Sequence, residues 1–394
     1  MPSLAPPGLP PLGVYVHWPY CARICPYCDF NVVRDRGRLD EQQALIRALI
    51  SDLRTHRTLT GPRRLVSVFF GGGTPSLMRP DWMAEILDAA RALWTLPADL
   101  EVTLEANPTD AEAARFAAFA EAGVGRLSLG MQSLDDEALV FLGRNHDARA
   151  ALRAADAARA AFPRLSIDLI YARPGHTPEA WARELDAAIE LGPEHVSPYQ
   201  LTLEDGTAFD RAVRRGRWSP PPPGTAADLY ETTQDVLSAR GFSAYEVSNH
   251  AKGEAAQSRH NLTYWRGQDY VGVGPGAHGR LTTGGGRIAS YAHAGVGAYV
   301  ASVAQTGLGW EAREDLSPRE AAEERLLMGL RTFEGVGLDE LAPLGLHPGH
   351  PVLEDLAAAG LLRIEMGRLV PTAAGRPVLD RITTELATTK APRR

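Results

Sequence analysis

Short apolar segments alternate with amphipathic segments over roughly the first two thirds of the chain. The apolar segments predict six β-strands, at 13–18, 65–70, 101–106, 125–130, 165–171 and 195–201. The amphipathic segments predict helices at 40–56, 80–94, 110–123, 147–162, 178–192 and 225–241. Strands that are apolar throughout are typical of a parallel sheet covered on both faces. Alternating strands and helices therefore indicate an α/β fold with right-handed crossovers.

The number of units limits the architecture. Six strand–helix units are too few for a closed eight-stranded barrel, and no glycine-rich dinucleotide fingerprint follows the first strand. The expected core is therefore a partial (β/α)6 barrel of the TIM type, over 13–245. A proline-rich arm at 1–12 precedes it, and a glycine-rich, irregular connecting segment at 246–310 follows. Helices and a hairpin turning at Met366-Gly367 predict a small winged-helix-like domain at 311–394.

Composition and charge narrow the class of protein. The 394 residues carry a net charge of −7, and no run of basic residues suggests a nucleic-acid-binding face. Since no apolar stretch reaches about 18 residues, no membrane span is expected. Three cysteines, all within eight residues, cannot form a disulfide framework, so a reducing cytoplasmic location is expected.

The three cysteines form the motif Cys21-Ala-Arg-Ile-Cys25-Pro-Tyr-Cys28, directly after the first predicted strand. Loops at the carboxyl ends of barrel strands usually carry the chemistry. Three thiolates can hold three irons of a [4Fe–4S] cluster and leave the fourth iron open. A zinc site completed by a histidine such as His17, and simple buried thiols, are the alternatives.

This motif, followed by FFGGGTPS after the second predicted strand, resembles the radical S-adenosylmethionine (SAM) superfamily. The resemblance implies a partial barrel whose open cluster iron chelates SAM and whose reduced cluster cleaves it. More narrowly, YVHWPYCARICPYCDF, TLEANP, GVGRLSLGMQS, LGRNH and DLIYARPGHT resemble the HemN/HemW group of oxygen-independent coproporphyrinogen dehydrogenases and their relatives. The matching positions imply SAM contacts at Tyr15, Tyr27, Gly72, Gly73, Thr74, Glu105, Gln132, Arg144 and Asp168.

Two departures favour the HemW branch, whose members are haem chaperones. The dehydrogenase pattern continues CxxxCxxCxC, whereas this chain has Phe30 at the last of these positions. The N-terminal extension of the dehydrogenases is also replaced by about a dozen proline-rich residues. The resemblance then implies a protein that binds haem and passes it to acceptor proteins such as respiratory enzymes, with an electron donor for the cluster. Coproporphyrinogen III dehydrogenation and radical SAM chemistry on an unknown substrate remain alternatives.

The segment His260-Asn261-Leu262-Thr263-Tyr264-Trp265 resembles the HNxxYW motif of that branch. Neutral imidazole is a common ligand of haem iron, and aromatic rings offer a flat apolar surface to a macrocycle. We therefore expect His260, Asn261, Tyr264 and Trp265 to contact haem, with His260 on the iron. The competing interpretation is a hydrogen-bonded anchor, and His17, His146 and His278 are weaker candidates for the ligand.

Overall fold

The structure, a computed structural model, describes residues 8–388, so most of the proline-rich arm lies outside the described residues. The strands of the N-terminal half are β1 (Pro11–Trp18), β2 (Tyr20–Cys21), β3 (Val33–Arg34), β4 (Arg64–Gly72), β5 (Glu101–Ala106), β6 (Arg126–Gln132), β7 (Arg164–Tyr171) and β8 (His195–Gln200). The helices are α1 (Leu39–Thr60), α2 (Pro80–Leu93), α3 (Asp110–Ala113), α4 (Phe116–Glu121), α5 (Asp136–Phe141), α6 (Ala148–Ala161) and α7 (Pro178–Glu190).

Six of these strands form the predicted partial barrel. β1, β4, β5, β6, β7 and β8 are neighbours in one sheet, and every pairing among them is parallel. Their apolar side chains are buried beneath the surrounding helices, as with Val68 on β4 and Leu185 on α7. The α/β prediction is confirmed. The helix predicted at 110–123 is instead divided into α3 and α4 at Arg115, whose side chain donates to the carbonyl oxygens of Ser76 and Met78.

The connecting segment is more ordered than its glycine content suggested. After α8 (Ala208–Arg214) and α9 (Pro223–Ala239), the chain forms β9 (Ser243–Glu246), β10 (Asn249–Ala251), α10 (Arg259–Trp265), β11 (Asp269–Val273), β12 (His278–Thr283), β13 (Gly286–Ala292), α11 (Val296–Thr306) and β14 (Trp310–Leu316). β11 pairs with β1 in parallel, and β12, β13 and β14 continue the same sheet. The prediction of an irregular segment was therefore wrong.

These strands are hard to predict from the sequence because glycine, which has no side chain, interrupts the alternation of apolar and polar residues. A Cβ on Gly272 would lie 1.9 Å from the carbonyl oxygen of His278 on the neighbouring strand. A side chain at this position of β11 would therefore force the two strands apart.

The C-terminal domain begins later than the predicted boundary at 311. β14 belongs to the large sheet, and a separate apolar core starts on α12 (Pro318–Arg331). The remaining elements are β15 (Val336–Gly337), α13 (Pro351–Ala358), β16 (Leu362–Glu365), β17 (Arg368–Pro371) and α14 (Leu379–Thr388). The hairpin turns at Met366-Gly367 as predicted, and β15 pairs with β17. The segment LDELAPLG, at 338–345, predicts a further helix between α12 and α13, but only a short 3-10 turn, Ala342–Leu344, forms there.

Between residues 8 and 388, no helix is both long enough and apolar enough to cross a bilayer.

Candidate functional site

The three cysteines lie on one loop at the carboxyl end of the barrel. Short strands β2 and β3 close this loop: the Val33 amide donates to the Pro19 carbonyl (2.8 Å), and the Asp35 amide donates to the Cys21 carbonyl (2.8 Å). Cys21 is buried, whereas Cys25 and Cys28 are partly exposed. All three line a cavity of about 370 Å³, which we call the mouth cavity.

Beside the cysteine loop, the glycine segment after β4 packs backbone against backbone. The Gly73 amide donates to the Trp18 carbonyl (2.8 Å), and the Thr74 amide donates to the Tyr20 carbonyl (2.9 Å). A Cβ on Gly73 would lie 2.8 Å from that Tyr20 oxygen, and Gly72 has a φ of +105°. Both glycines are therefore required by the backbone, and they leave one side of the mouth cavity free of side chains.

A hydrogen-bonded chain joins the cysteine loop to β5 and β6. The Thr74 hydroxyl donates to Cys21 Sγ (3.6 Å) and accepts from Asn107 (3.1 Å). Arg144 donates to Asn107, to the Gly130 carbonyl (3.0 Å) and, through Nη1, to Cys25 Sγ and the Tyr27 hydroxyl (both 3.3 Å). Arg144 therefore lies in the wall of the mouth cavity, in contact with the cysteine loop.

Asn107, a member of this hydrogen-bonded chain, is not among the site residues predicted from the sequence. It lies one residue beyond β5, within the TLEANP motif, and its side chain connects Thr74 to Arg144. A polar residue at the end of a buried parallel strand is the signal that could have revealed it.

Two carboxylates, Glu105 on β5 and Asp168 on β7, face the mouth cavity from the barrel. Glu105 accepts from the Gly72 amide (3.2 Å), while Asp168 Oδ2 accepts from Ser128 (2.8 Å). Desolvation, with the nearby Asp168 charge, raises the pKa of Glu105 to about 8, and desolvation raises the pKa of Asp168 to about 6. Asp168 Oδ1 has no hydrogen-bond partner among residues 8–388. Two carboxyl groups with raised pKa values suit a cationic ligand, whose charge would stabilise their ionised forms.

Two further cavities adjoin the mouth cavity. The interior cavity, about 220 Å³, lies deeper in the barrel, and the interdomain cavity, about 540 Å³, lies between the barrel and α12. Phe30 lines all three cavities and is 59% exposed. Of the predicted SAM contacts, Tyr15 lies outside the lining of the mouth cavity, in the walls of the interior and interdomain cavities. The other predicted contacts lie together around the mouth cavity: Tyr27, Gly72, Gly73, Thr74, Glu105, Gln132, Arg144 and Asp168.

His260 lies in a closed environment rather than an open one. Its side chain is 1% exposed, and its ring is stacked on Phe69 with centroids 4.8 Å apart. Nδ1 is hydrogen-bonded to the Ser67 hydroxyl (3.0 Å), and Nε2 to the Tyr264 hydroxyl (2.6 Å). Burial lowers the pKa of His260 to about 3. Both nitrogens are thus occupied, and the geometry favours the anchor interpretation over iron ligation.

The rest of the HNxxYW segment is divided between two cavities. Asn261 lines the interior cavity, Trp265 lines the interdomain cavity, and Tyr264 lines both. Trp265 Nε1 is buried and has no hydrogen-bond partner within the described part of the chain. The guanidinium of Arg331 lies 4.9 Å from the Trp265 ring centroid.

Comparison with known proteins agrees with this architecture. Residues 15–188 match the Radical SAM superfamily, and residues 316–378 match the HemN C-terminal domain. Heme chaperone HemW of Mycobacterium tuberculosis is 37% identical over 98% of this chain and 97% of that protein. The chain belongs to the HemW family. Another relative, the mitochondrial radical S-adenosyl methionine domain-containing protein 1 of Bos taurus, is 42% identical over 98% of this chain and 89% of its own length.

Membership of the HemW family, within the radical SAM superfamily, implies a [4Fe–4S] cluster and SAM as cofactors. A solved structure, coproporphyrinogen III oxidase (HemN) from Escherichia coli, aligns with a TM-score of 0.77 over 96% of this chain and 91% of that one. At 22% identity this match shows a shared fold only. The residues of the mouth cavity suit the two cofactors: three thiols, a glycine wall without side chains, and a carboxylate oxygen that has no hydrogen-bond partner in the described part of the chain.

Proposed function

We propose that this protein is a haem chaperone that carries a SAM-liganded [4Fe–4S] cluster at the barrel mouth and passes haem to an acceptor protein. The observation that carries the proposal is Phe30. An apolar side chain at this position supplies no further thiol and forms the wall shared by all three cavities. A further cysteine would be expected here in a coproporphyrinogen dehydrogenase.

In this proposal Cys21, Cys25 and Cys28 hold the cluster, which with SAM supplies one-electron chemistry when bound. The backbone of Gly72 and Gly73 leaves room for the methionine part of SAM, and the hydrogen bonds of the Gly73 and Thr74 amides hold that backbone in position. Glu105 and Asp168 supply negative charge and hydrogen-bond acceptors toward the cationic and hydroxyl groups of SAM. Tyr15, Tyr27, Gln132 and Arg144 complete the proposed set of contacts.

The test uses the full-length protein reconstituted anaerobically. When the haem-bound protein is mixed with a haem-depleted respiratory cytochrome, we expect its Soret band to be replaced by the Soret band of the haem-loaded cytochrome. With SAM, a strong reductant and coproporphyrinogen III, we expect no decarboxylated product. Formation of that product would instead identify a dehydrogenase, and an absence of haem binding would refute the chaperone proposal. The C25S variant provides the control for cluster dependence.

A further inference from the structure

The interdomain cavity has the size and lining of a binding site for a flat, metal-containing macrocycle. At about 540 Å³ it is within the range of small-molecule pockets. Aromatic side chains from the barrel and the connecting segment form its apolar surface, among them Phe30, Trp265 and Tyr270. The thioether of Met328, on α12, also lines it.

His278, at the start of β12, is an accessible imidazole in this cavity. The side chain is exposed, and neither ring nitrogen makes a hydrogen bond within residues 8–388. The ring packs edge-on against Tyr291, with centroids 4.9 Å apart, which limits its orientation. Partial burial and the nearby Arg280 charge lower the pKa of His278.

Two arginines in the cavity wall, each also paired with an acidic side chain, present guanidinium groups to the cavity. Arg280 and Arg287 both face Glu324: Arg280 is paired with it at 2.8 Å, and Arg287 Nε lies 3.8 Å away. Arg287 also pairs with Asp269, at 3.5 Å. Both arginines line the cavity, and guanidinium groups favour carboxylates because of their forked geometry.

We propose that the interdomain cavity binds the haem cargo, with His278 as the protein ligand of the iron and Arg280 and Arg287 facing the haem propionates. This inference rests on the proposed function and changes the expected ligand from His260 to His278. The HNxxYW segment then has a different task. His260 anchors α10 on β4, and the helix places Tyr264 and Trp265 in the wall of the cavity.

The test is a titration of the full-length protein with ferric haem, followed by the Soret band and by electron paramagnetic resonance. Partners that merely orient a metal ligand typically contribute 10–100-fold to affinity, so H278A should weaken haem binding by at least about tenfold. In H278G, added imidazole should restore the spectrum of the wild-type complex. The matched control is H347A, which removes an exposed histidine of the C-terminal domain that lies outside the cavity.

Three further measurements separate ligation from folding. Metal-free protoporphyrin should bind H278A as tightly as the wild type, because it has no iron to ligate. H260Q should keep the ligand signature of the wild-type complex. Y264F, which releases Nε2 of His260, should leave that signature unchanged.

The outcomes are distinguishable. If wild-type protein binds no haem, the proposed function itself fails. If haem binds, but H278A keeps the ligand signature while H260Q loses it, the chaperone proposal stands and the assignment of His278 is overturned. If both variants lose the signature, imidazole rescue of H278G supports the assignment, and an absence of rescue refutes it.

Discussion

Replacing Glu105 by glutamine should change how the stability of the protein depends on pH. Desolvation and the charge of Asp168 raise the pKa of Glu105 from its ordinary value of 4.5 to about 8. The folded protein therefore retains a proton on Glu105 at pH values where the unfolded chain has lost it. The free energy of unfolding must then fall as pH rises from about 4.5 to about 8. Glutamine stays neutral at all these values and can still accept from the Gly72 amide.

The size of the effect follows from the shift. One pH unit between the two pKa values corresponds to about 1.4 kcal/mol. Between pH 5.5 and 7.5, the free energy of unfolding of the wild type should therefore fall by about 2.5 kcal/mol more than that of the E105Q variant. Asp168, with its pKa raised to about 6, acts in the same direction below that pH, but it is present in both proteins. Its contribution cancels to first order in the comparison.

The measurement is urea unfolding of cluster-free protein followed by tryptophan fluorescence. All seven tryptophans precede the C-terminal domain, so the signal reports the barrel and its sheet extension. If the unfolding free energies of the two proteins depend on urea concentration with the same slope, the difference between their transition midpoints gives the difference in stability. E137Q, at an exposed position on α5, is the control and should follow the wild type. If the free energy of unfolding of E105Q and that of the wild type change in parallel from pH 5.5 to 7.5, the argument is refuted.

Three other substitutions test the backbone contacts and the boundary of the C-terminal domain. G73A would place a Cβ 2.8 Å from the Tyr20 carbonyl oxygen, so SAM affinity measured by calorimetry should fall by about tenfold or more. The control is G125A, which should have no effect because its Cβ would lie more than 4 Å from every heavy atom of the described chain beyond its immediate neighbours in sequence. G272A should destabilise the sheet extension by about 1–3 kcal/mol, seen as faster hydrogen exchange in β11 and β12 while the C-terminal domain is unchanged. S317A removes the capping box of α12, so the free energy of unfolding of the C-terminal domain should fall by about 1 kcal/mol in thermal denaturation. An unchanged midpoint of the thermal transition would contradict the cap assignment.

The six barrel strands could be predicted from the sequence because their pattern is local. Each is a short apolar run flanked by an amphipathic helix, and the observed strand ends differ from the predicted ones by at most two residues. The strands of the connecting segment could not be predicted in this way. β11 and β12 contain Gly272 and Gly279, whose missing side chains remove the alternation on which strand prediction depends.

Some features of the candidate site could likewise be predicted from the sequence, and others could not. The spacing of the three cysteines and the glycines after β4 could be predicted because both motifs lie on continuous stretches of the chain. Asn107 was missed because its importance comes from its position between Thr74 and Arg144, which lie far from it in sequence. The role of Phe30 as a wall shared by three cavities likewise depends on elements brought together only by folding.

The two histidines show why residue type alone does not identify a metal ligand. Freeing Nε2 of His260 would break its hydrogen bond to Tyr264 inside a buried aromatic stack, and leaving a buried polar group unpaired costs about 1–3 kcal/mol. By the relation between free energy and affinity, that cost would weaken a complex by roughly 5–150-fold before any iron–nitrogen bond formed. His278 requires no such step, because its ring is already exposed at the cavity and held in position by Tyr291. The cavity therefore favours His278 as the ligand, with His260 fixing the helix that forms the wall beside it.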